Sequence, residues 1–581
     1  MSYLKKLNYL LSDRLKRKLF LVLIFIIIGS ALELLGISIL LPIINLAVDV
    51  EHADDNMVYK IVTDITGATD FRSTFVVLLV ITIVVYFAKN AYLAWMNAYN
   101  EKYANDVKRY LATRLMKAYM KEPYPFFLNH NSSDIIRSVN NDTSNVFQVV
   151  NNLVQVASLS LTTLALVIYL GCTNVKLTLI VTALLGICVL YIFFRLRRVT
   201  RRWGEQVQRK NGRLIRYVQQ AFEGIKEIKI LNSEAYYTEI YDTEYAEMAK
   251  LQLKSKLVGT LPKYMIEFVS VAGILTYLSY VIITDQDYTT LVAQMAIFAV
   301  TAFKLLPYVN SIYNYMNTVV YHRASIELVY RDIRMAEGDA DGDKKGEAEN
   351  EKTTLPFEKE IRASGVCFAY DGSQRDVVRD ANVTIKKGES VAFIGPSGQG
   401  KTTMADLILG LLTPQEGDVT VDGVPIGSNI RGWHDHIGYI PQSIYLTDDS
   451  IRNNIAFGIP AKEIDDEQVW KALQDAQLSD FVKGLEKGLD TEVGERGTRL
   501  SGGQRQRIGI ARALYRNPDV LVFDEATSAL DTATETEVMN AINALHGTKT
   551  MLIIAHRLST IEKCDKVYKV EDQKVLPQIL P

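Results

Sequence analysis

The sequence predicts an α-helical six-span transmembrane domain fused to a C-terminal α/β P-loop domain. Three observations carry that prediction. Long apolar runs crowd residues 1–310, whereas the stretch from 356 onward reads as a soluble protein. Between them, "AEGDADGDKKGEAENEKTTL" (336–355) is charged and poor in apolar side chains, the composition of a linker. The soluble stretch carries "IGPSGQGKTT" (394–403), a loop suited to phosphate. A chain of 581 residues exceeds one compact core. The expected division is a membrane domain over 1–335, the linker over 336–355 and a soluble domain over 356–581. A net charge of −2 gives no general attraction to nucleic acid, and no nucleic-acid partner is expected.

A helix needs about 20 apolar residues to cross the roughly 30 Å hydrocarbon layer. Segments 19–46, 74–97, 147–170, 176–194, 261–284 and 288–309 qualify. The first is too long for a cleaved signal peptide and lacks a small-residue cleavage site, so it is expected to remain as a span. Lys5, Lys6, Arg14, Lys16, Arg17 and Lys18 precede it against Asp13 alone, and Arg195 to Arg213 form a second basic run after span four. The positive-inside rule then places both termini and the loops 98–146 and 196–260 in the cytoplasm. Those loops keep a helical period, so spans two to five continue as helices beyond the bilayer. Their tips are expected at "HNSSDIIRSV" (130–139), with Ser132, Ser133 or Asp134 as a helix cap, and at "EGIKEIKIL" (223–231). The outer segment "DNMVYKIVTDITG" (55–67) reads either as an amphipathic helix using Met57, Val58, Ile61, Val62 and Ile65, or as a packed loop.

In the soluble part, "SVAFIG" (390–395) is a strand leading into G-x-x-x-x-G-K-[ST], satisfied by Gly395, Gly400, Lys401 and Thr402. Glycines, with Gly398 among them, let backbone N–H groups curl round phosphate oxygens, and the following helix offers its positive N-terminus. Lys401 reaches the β- and γ-phosphates, the Thr402 hydroxyl ligates Mg²⁺, and Ser397 and Thr403 complete the ATP-binding run. "DVLVFDEATSALD" (519–531) is an apolar strand ending in two carboxylates. Asp524 suits a Mg²⁺ ligand and Glu525 a general base for water. "LSGGQRQRIGIARAL" (500–514) opens a basic helix, and Ser501, Gly502, Gly503 and Gln504 form a second phosphate-binding surface. Cys172, Cys188, Cys367 and Cys564 have no metal or disulfide spacing and are expected reduced and buried. His434 and His436 are expected in a solvated loop rather than on a metal.

P-loop, LSGGQ and an aspartate–glutamate strand in this order resemble the nucleotide-binding domain of ABC transporters. The fold class is then a six-span domain fused to a C-terminal α/β P-loop ATPase domain, the half-transporter layout of ABC exporters. The resemblance implies that Tyr370 in "VCFAYDG" stacks on adenine and that Gln442 in "GYIPQ" lies near Mg²⁺ and the attacking water. It also implies that Ser528 to Asp531 form the D-loop, that His556 contacts the γ-phosphate, and that "VGERGTRLSGGQ" (493–504), with Glu495, is the exporter X-loop. ATP and Mg²⁺ are the implied cofactors. The LSGGQ surface of one subunit faces ATP on the other, which implies a second copy as partner, a homodimer with C₂ symmetry.

Charged residues inside spans are a functional hypothesis by default. Lys89, Lys263 and Lys304 lie about 26, 32 and 24 Å below the outer boundary at ~1.5 Å per residue. Three lysines at one level suggest an anion site. Snorkelling, an i,i+4 pair of Lys263 with Glu267, or neutralisation by Glu33 are the open alternatives. With the outer helix and "YIPQSIYLTDDSIRNNIAFG" (439–458), these positions resemble bacterial flippases of lipid-linked oligosaccharides. The resemblance implies a polyprenyl-pyrophosphate glycan as substrate, membrane lipid as surroundings, and a cell (inner) membrane location with the ATPase domain in the cytoplasm. Lysine in place of arginine keeps the charge and loses bidentate geometry. A general lipid or drug exporter, and a nucleotide-gated channel or regulatory ATPase, are the rival readings.

Overall fold

The computed structural model describes residues 3–39, 43, 46, 57–66, 71–173, 175–283, 288–337, 355–373, 375–525, 532–555 and 561–578. They fall into a helical unit, residues 1–122 with 126–345, and a second unit, residues 123–125 with 346–581.

In the helical unit, α1 (Tyr3–Leu10) precedes α2 (Asp13–Ser38), the helix of span one, and the short outer helix α3 (Met57–Thr66) follows. The second span lies within α4 (Phe71–Lys121), which continues far past the apolar stretch. Short helices α5 (Tyr124–Asn129) and α6 (Ser132–Arg137) make the first hairpin tip, and a π-helical turn (Ser138–Asp142) leads into α7 (Thr143–Thr173). Then come α8 (Val175–Glu223), α9 (Ile225–Leu231) at the second tip, α10 (Glu234–Ile283), α11 (Tyr288–Tyr321) and α12 (Arg323–Ala336). Among the described residues, three stretches are long and apolar enough to cross a membrane: Asp13–Gly36, Phe71–Lys121 and Ser132–Cys172, each holding an 18-residue window of mean hydropathy 2.6, 2.2 and 2.0 respectively. Spans four to six fall on α8, α10 and α11. Phe20, Ile27, Ile83 and Phe87 are exposed on α2 and α4, as lipid-facing residues must be.

Helical periodicity explains the core of this unit. Tyr103, Val107, Leu111 and Leu115 recur every four residues on one face of α4, all buried. They pack with Leu10, Val149, Val329 and Ile333 from α1, α7 and α12. Below the spans, Asp142 is buried and accepts hydrogen bonds from Ser325 Oγ (2.6 Å), Gln208 Nε2 (2.8 Å) and Arg137 Nε (3.2 Å). One carboxylate thus ties the π-turn to α6, α8 and α12. Beside it, a Cβ on Gly204 would stand 2.0 Å from the Tyr321 carbonyl oxygen, so α8 approaches α11 only because residue 204 is glycine. Burial lowers the neighbouring His322 to about 4 and keeps it neutral.

Several expectations change. Asn131, with no side-chain cap bond, occupies the N-cap of α6, while Ser133 is buried and Asp134 pairs with Arg137 at 2.8 Å. The outer segment is helical, but Tyr59 and Val62 form its buried side against Leu46 and Leu78, and Ile61 is exposed. The Tyr59 ring lies 5.9 Å from that of Phe71, tilted by 31°, a contact that apolar counting passes over. Cys172 is exposed rather than buried. Ala336 still belongs to α12 and Leu355 is buried in the second unit, while 338–354 lie outside the described residues.

The second unit is built on a six-stranded sheet of order β10-β9-β3-β8-β7-β6. Its strands are β3 (Ser390–Ile394), β6 (Ile437–Ile440), β7 (Val520–Asp524), β8 (Thr550–Ile554), β9 (Lys566–Glu571) and β10 (Lys574–Gln578), parallel except for β10. An antiparallel sheet of β1 (Glu360–Phe368), β2 (Val378–Lys386), β4 (Glu416–Val421) and β5 (Val424–Pro425) covers one face, together with helix α13 (Lys401–Leu409). Helices α14 (Asp466–Asp475) and α15 (Gly502–Tyr515) cover the other, and α16 (Thr532–Ala544) joins them. Strands β7 and β8 are buried throughout, which is why they read as continuous apolar runs. His434 is exposed, as expected, whereas His436 is half-buried. His434 Nε2 bonds Leu409 O at 2.9 Å, and His436 lies 2.6 Å from both Asp519 Oδ2 and Leu355 O.

Asp142→Ala removes the acceptor shared by three elements and leaves Arg137 leaning on Asp134 alone. The expected outcome is a loss of about 2 kcal/mol or more in stability, read as a lower thermal midpoint of the purified protein. An unchanged midpoint would show that the cluster carries no structural weight.

Candidate functional site

The site begins where β3 ends. Gly395 has φ 141°, and a Cβ there would meet the Val570 carbonyl oxygen at 2.2 Å. Gly400, with φ 98°, is the N-cap of α13, so the loop turns sharply enough to aim backbone donors inward. Lys401 is buried, and its ammonium donates to Gly395 O and Pro396 O, both at 2.9 Å. Burial pushes its pKa down, against the raising influence of Glu525 and Asp524. The Tyr370 hydroxyl is 3.1 Å from Thr403 Oγ1, and its ring is edge-on to Phe368 at 5.1 Å. Ser397 and Gly398 lie in the same loop, Gly398 with φ 78°.

Two strands away, β7 delivers Asp524 and Glu525 to the same edge of the sheet. Asp524 is buried, which raises its pKa, and the Glu525 charge raises it further. Hydrogen bonds from Thr402 and Tyr439, and the Lys401 charge, oppose both. Gln442 Nε2 donates to Glu525 Oε2 at 2.8 Å. Glu525 has φ 48°, a left-handed conformation that costs a residue with a Cβ of order 1 kcal/mol. The structure therefore gathers Lys401, Thr402, Asp524, Glu525 and Gln442 into one cluster.

Ser501 stands at the start of α15 with φ −67° and ψ 163°, and Gln504 closes a capping box with it. Ser501 N donates to Gln504 Oε1 at 2.8 Å, and Gln504 N to Ser501 Oγ at 3.3 Å. Gly502 and Gly503 open the first turn and place no side chain in front of the helix N-terminus. His556 and Ser528 to Asp531 lie outside the described residues. Glu495 opens a short 3₁₀ turn, Glu495–Gly497, ahead of this helix.

Sequence reasoning passed over two residues of the cluster. Asp406, one turn along α13 from Lys401, is raised to about 6 by burial and by Asp524. The Tyr439 phenol is raised by burial and by Asp524. A signal for Asp406 existed: it is the lone charged residue after Lys401 in "KTTMADLILG". The donor set fits a hard cation. The Thr402 hydroxyl, the Asp524 carboxylate and the Gln442 amide offer oxygen, and among the described residues no His/Cys/Asp/Glu group of three forms a metal cage.

The membrane lysines divide. Lys89 is buried, with Nζ 2.9 Å from Glu33 Oε2 and 4.5 Å from the Tyr86 ring centroid. Tyr308 donates to Glu33 Oε1 at 2.9 Å. Lys263 is exposed beside Pro262, 5.9 Å from the Tyr264 ring centroid. Lys304 lies on α11, and its side chain is outside the described residues.

Comparison with known proteins agrees with this geometry. Residues 19–304 match the ABC transporter transmembrane region, and residues 378–528 match the ABC transporter family. The ATP-dependent lipid A-core flippase of Cupriavidus metallidurans is 30% identical over 481 residues, covering 82% of this chain and 79% of the relative. The protein of the same name from Pseudomonas putida is 30% identical over 462 residues, covering 78% and 74%. A bacterial Atm1-family ABC exporter solved with ATP bound superposes with a TM-score of 0.80 at 23% identity, covering 97% of this chain and 95% of that one. The fused membrane region, the P-loop cluster on its parallel sheet and these matches lead to one conclusion: the chain belongs to the ABC transporter family, as a multi-pass half-transporter of exporter fold with its own ATPase domain.

Proposed function

We propose that the chain works as a homodimer that hydrolyses ATP to move a glycolipid from the inner to the outer leaflet of the cell membrane, its ATPase domains on the cytoplasmic side. The loop Gly395, Ser397, Gly398, Gly400 with Lys401 and Thr403 would hold the phosphates, and Tyr370 would stack on the adenine. Thr402, Asp524 and Gln442 would hold Mg²⁺, which offsets phosphate charge when bound. Glu525 takes the proton of the attacking water, with Gln442 fixing its carboxylate and His556 contacting the γ-phosphate. Ser501, Gly502, Gly503 and Gln504 of a second copy complete each site, so nucleotide draws two copies together and hydrolysis releases them.

For the substrate, a polyprenyl-pyrophosphate glycan is the finer reading, with Lys89, Lys263 and Lys304 meeting the pyrophosphate. The observation that carries it is the buried ammonium of Lys89 among membrane-spanning helices, since a charge there is costly and is kept for a purpose. The relatives' name, lipid A-core flippase, supports a glycolipid cargo of a related kind. The Glu33–Lys89 pair favours a second reading, a lipid exporter with no required anion site, because Glu33 already balances that lysine.

Glu525→Gln is expected to keep ATP binding and remove at least ~99% of hydrolysis, a loss of about 2.7 kcal/mol of transition-state stabilisation. Nucleotide-binding and phosphate-release assays check it, and near-normal turnover would show that Glu525 is not the base.

In proteoliposomes, Lys263→Gln and Lys304→Gln are each expected to slow translocation of a polyprenyl-pyrophosphate glycan several-fold, and less than additively together. Lys89→Gln alone strands Glu33, so the paired change Glu33→Gln with Lys89→Gln is the cleaner test of that position. Basal ATPase stays near normal throughout. Wild-type translocation after all three lysines are removed would sink the anion-site reading.

A further inference from the structure

A cavity of about 790 Å³ opens in the helical unit between α1, α8 and α12. Lys6, Arg201, Arg323, Arg331 and Arg334 line it, against Glu205 and Glu327, so the lining carries three more cations than carboxylates. Tyr330, Leu328 and Met335 add apolar surface. Part of the charge is already met. Lys6 pairs with Glu327 and lies 5.2 Å from the Tyr330 ring centroid. Arg201 Nε is 2.9 Å from Glu205 Oε1, Arg331 is 3.1 Å from Asp332, and Arg334 Nη1 donates to the Tyr330 hydroxyl at 3.3 Å. These pairs are solvent-accessible on at least one side, and pairs of that kind contribute ~1 kcal/mol or less, so an incoming anion displaces them readily. Arg323 has no carboxylate within ion-pair reach among the described residues.

We propose that this cavity binds a phosphate- or pyrophosphate-bearing anion, held between guanidinium groups of α8 and α12. The lining cations come from three helices, Arg201 from α8, Arg323, Arg331 and Arg334 from α12, and Lys6 from α1. Guanidinium forks match phosphate oxygens in pairs, which a ring of lysines does not achieve. The volume suits a small-molecule or headgroup ligand. Apolar surface within the same lining fits an organic phosphate better than a bare ion. Neither Lys89 nor Lys263 lines the cavity, and the proposal stands whether or not the membrane lysines bind substrate. A soluble phosphate ester and an anionic lipid headgroup present the same chemistry, and the experiment separates them.

The full-length protein is placed in phosphatidylcholine nanodiscs with its nucleotide sites filled by ADP, and titrated calorimetrically with inorganic pyrophosphate. In parallel, native mass spectrometry counts phosphatidylglycerol retained from mixed phosphatidylcholine–phosphatidylglycerol nanodiscs. The paired change Arg201→Gln with Arg323→Gln is expected to weaken binding of at least one probe about tenfold. Arg201→Lys with Arg323→Lys recovers part of it, and unchanged basal ATPase shows that the variants fold. Loss of pyrophosphate binding supports the site with a soluble phosphate as ligand. Loss of phosphatidylglycerol retention alone supports it with a lipid headgroup as ligand. Equal binding of both probes by wild type and the Gln pair overturns the proposal.

Discussion

Everything in the nucleotide unit turns on accommodating one buried ammonium. Lys401 is 5% exposed, and a cation so placed must be surrounded by oxygen. Gly395 and Pro396 supply it through their carbonyls, which they can do only because the loop between them and α13 folds back on itself. That fold needs positive φ at Gly395, Gly398 and Gly400. It also needs a rigid base, which β3 provides as an inner strand of the parallel sheet. The same sheet brings β7 to the loop's side across β8, two strand spacings of roughly 4.8 Å each. Asp524 and Glu525 thereby reach the neighbourhood of Lys401 although 123 positions separate Lys401 from Asp524 in the sequence.

The electrostatics of that edge follow from the packing. Asp406, Asp524 and Glu525 crowd beside a single ammonium, and burial raises both aspartates. A set of carboxylates held at such proximity resists ionising together and is relieved by a cation, which agrees with the Mg²⁺ role proposed for Asp524. In the helical unit the solvent is lipid, and the logic inverts. Lys89 and Glu33 balance one another, Tyr308 supports the carboxylate, and Ser30 and Thr162 share a hydrogen bond of 2.9 Å between helices.

Much of this was legible in the sequence because the signals are local. A phosphate loop is a run of adjacent residues, and a membrane span is a run of apolar ones, so β3, the loop, β7 and the long helices fall where the pattern puts them. What depends on distant partners was not legible. Asp142 looks like any polar loop residue until Gln208 and Ser325 are brought to it. His436 looks solvated until Asp519 and Leu355 O arrive from elsewhere in the fold. The buried side of α3 was misread because Tyr59, polar at its tip, buries its ring against Phe71. Glu33 as the neutraliser of a lysine was among the open readings; its choice of Lys89 required three helices to be placed in space.

The proposed homodimer shares each ATP between two copies, with Lys401 on one side and Ser501 on the other. Co-purified pairs of Lys401→Ala chains with Ser501→Arg chains test it directly. In such a pair one composite site carries both lesions and the other carries none, so ATPase activity should recover to roughly half of wild type or less, well above either homodimer. No recovery in the mixed pair, or full activity in a preparation shown to be monomeric, would contradict the shared site.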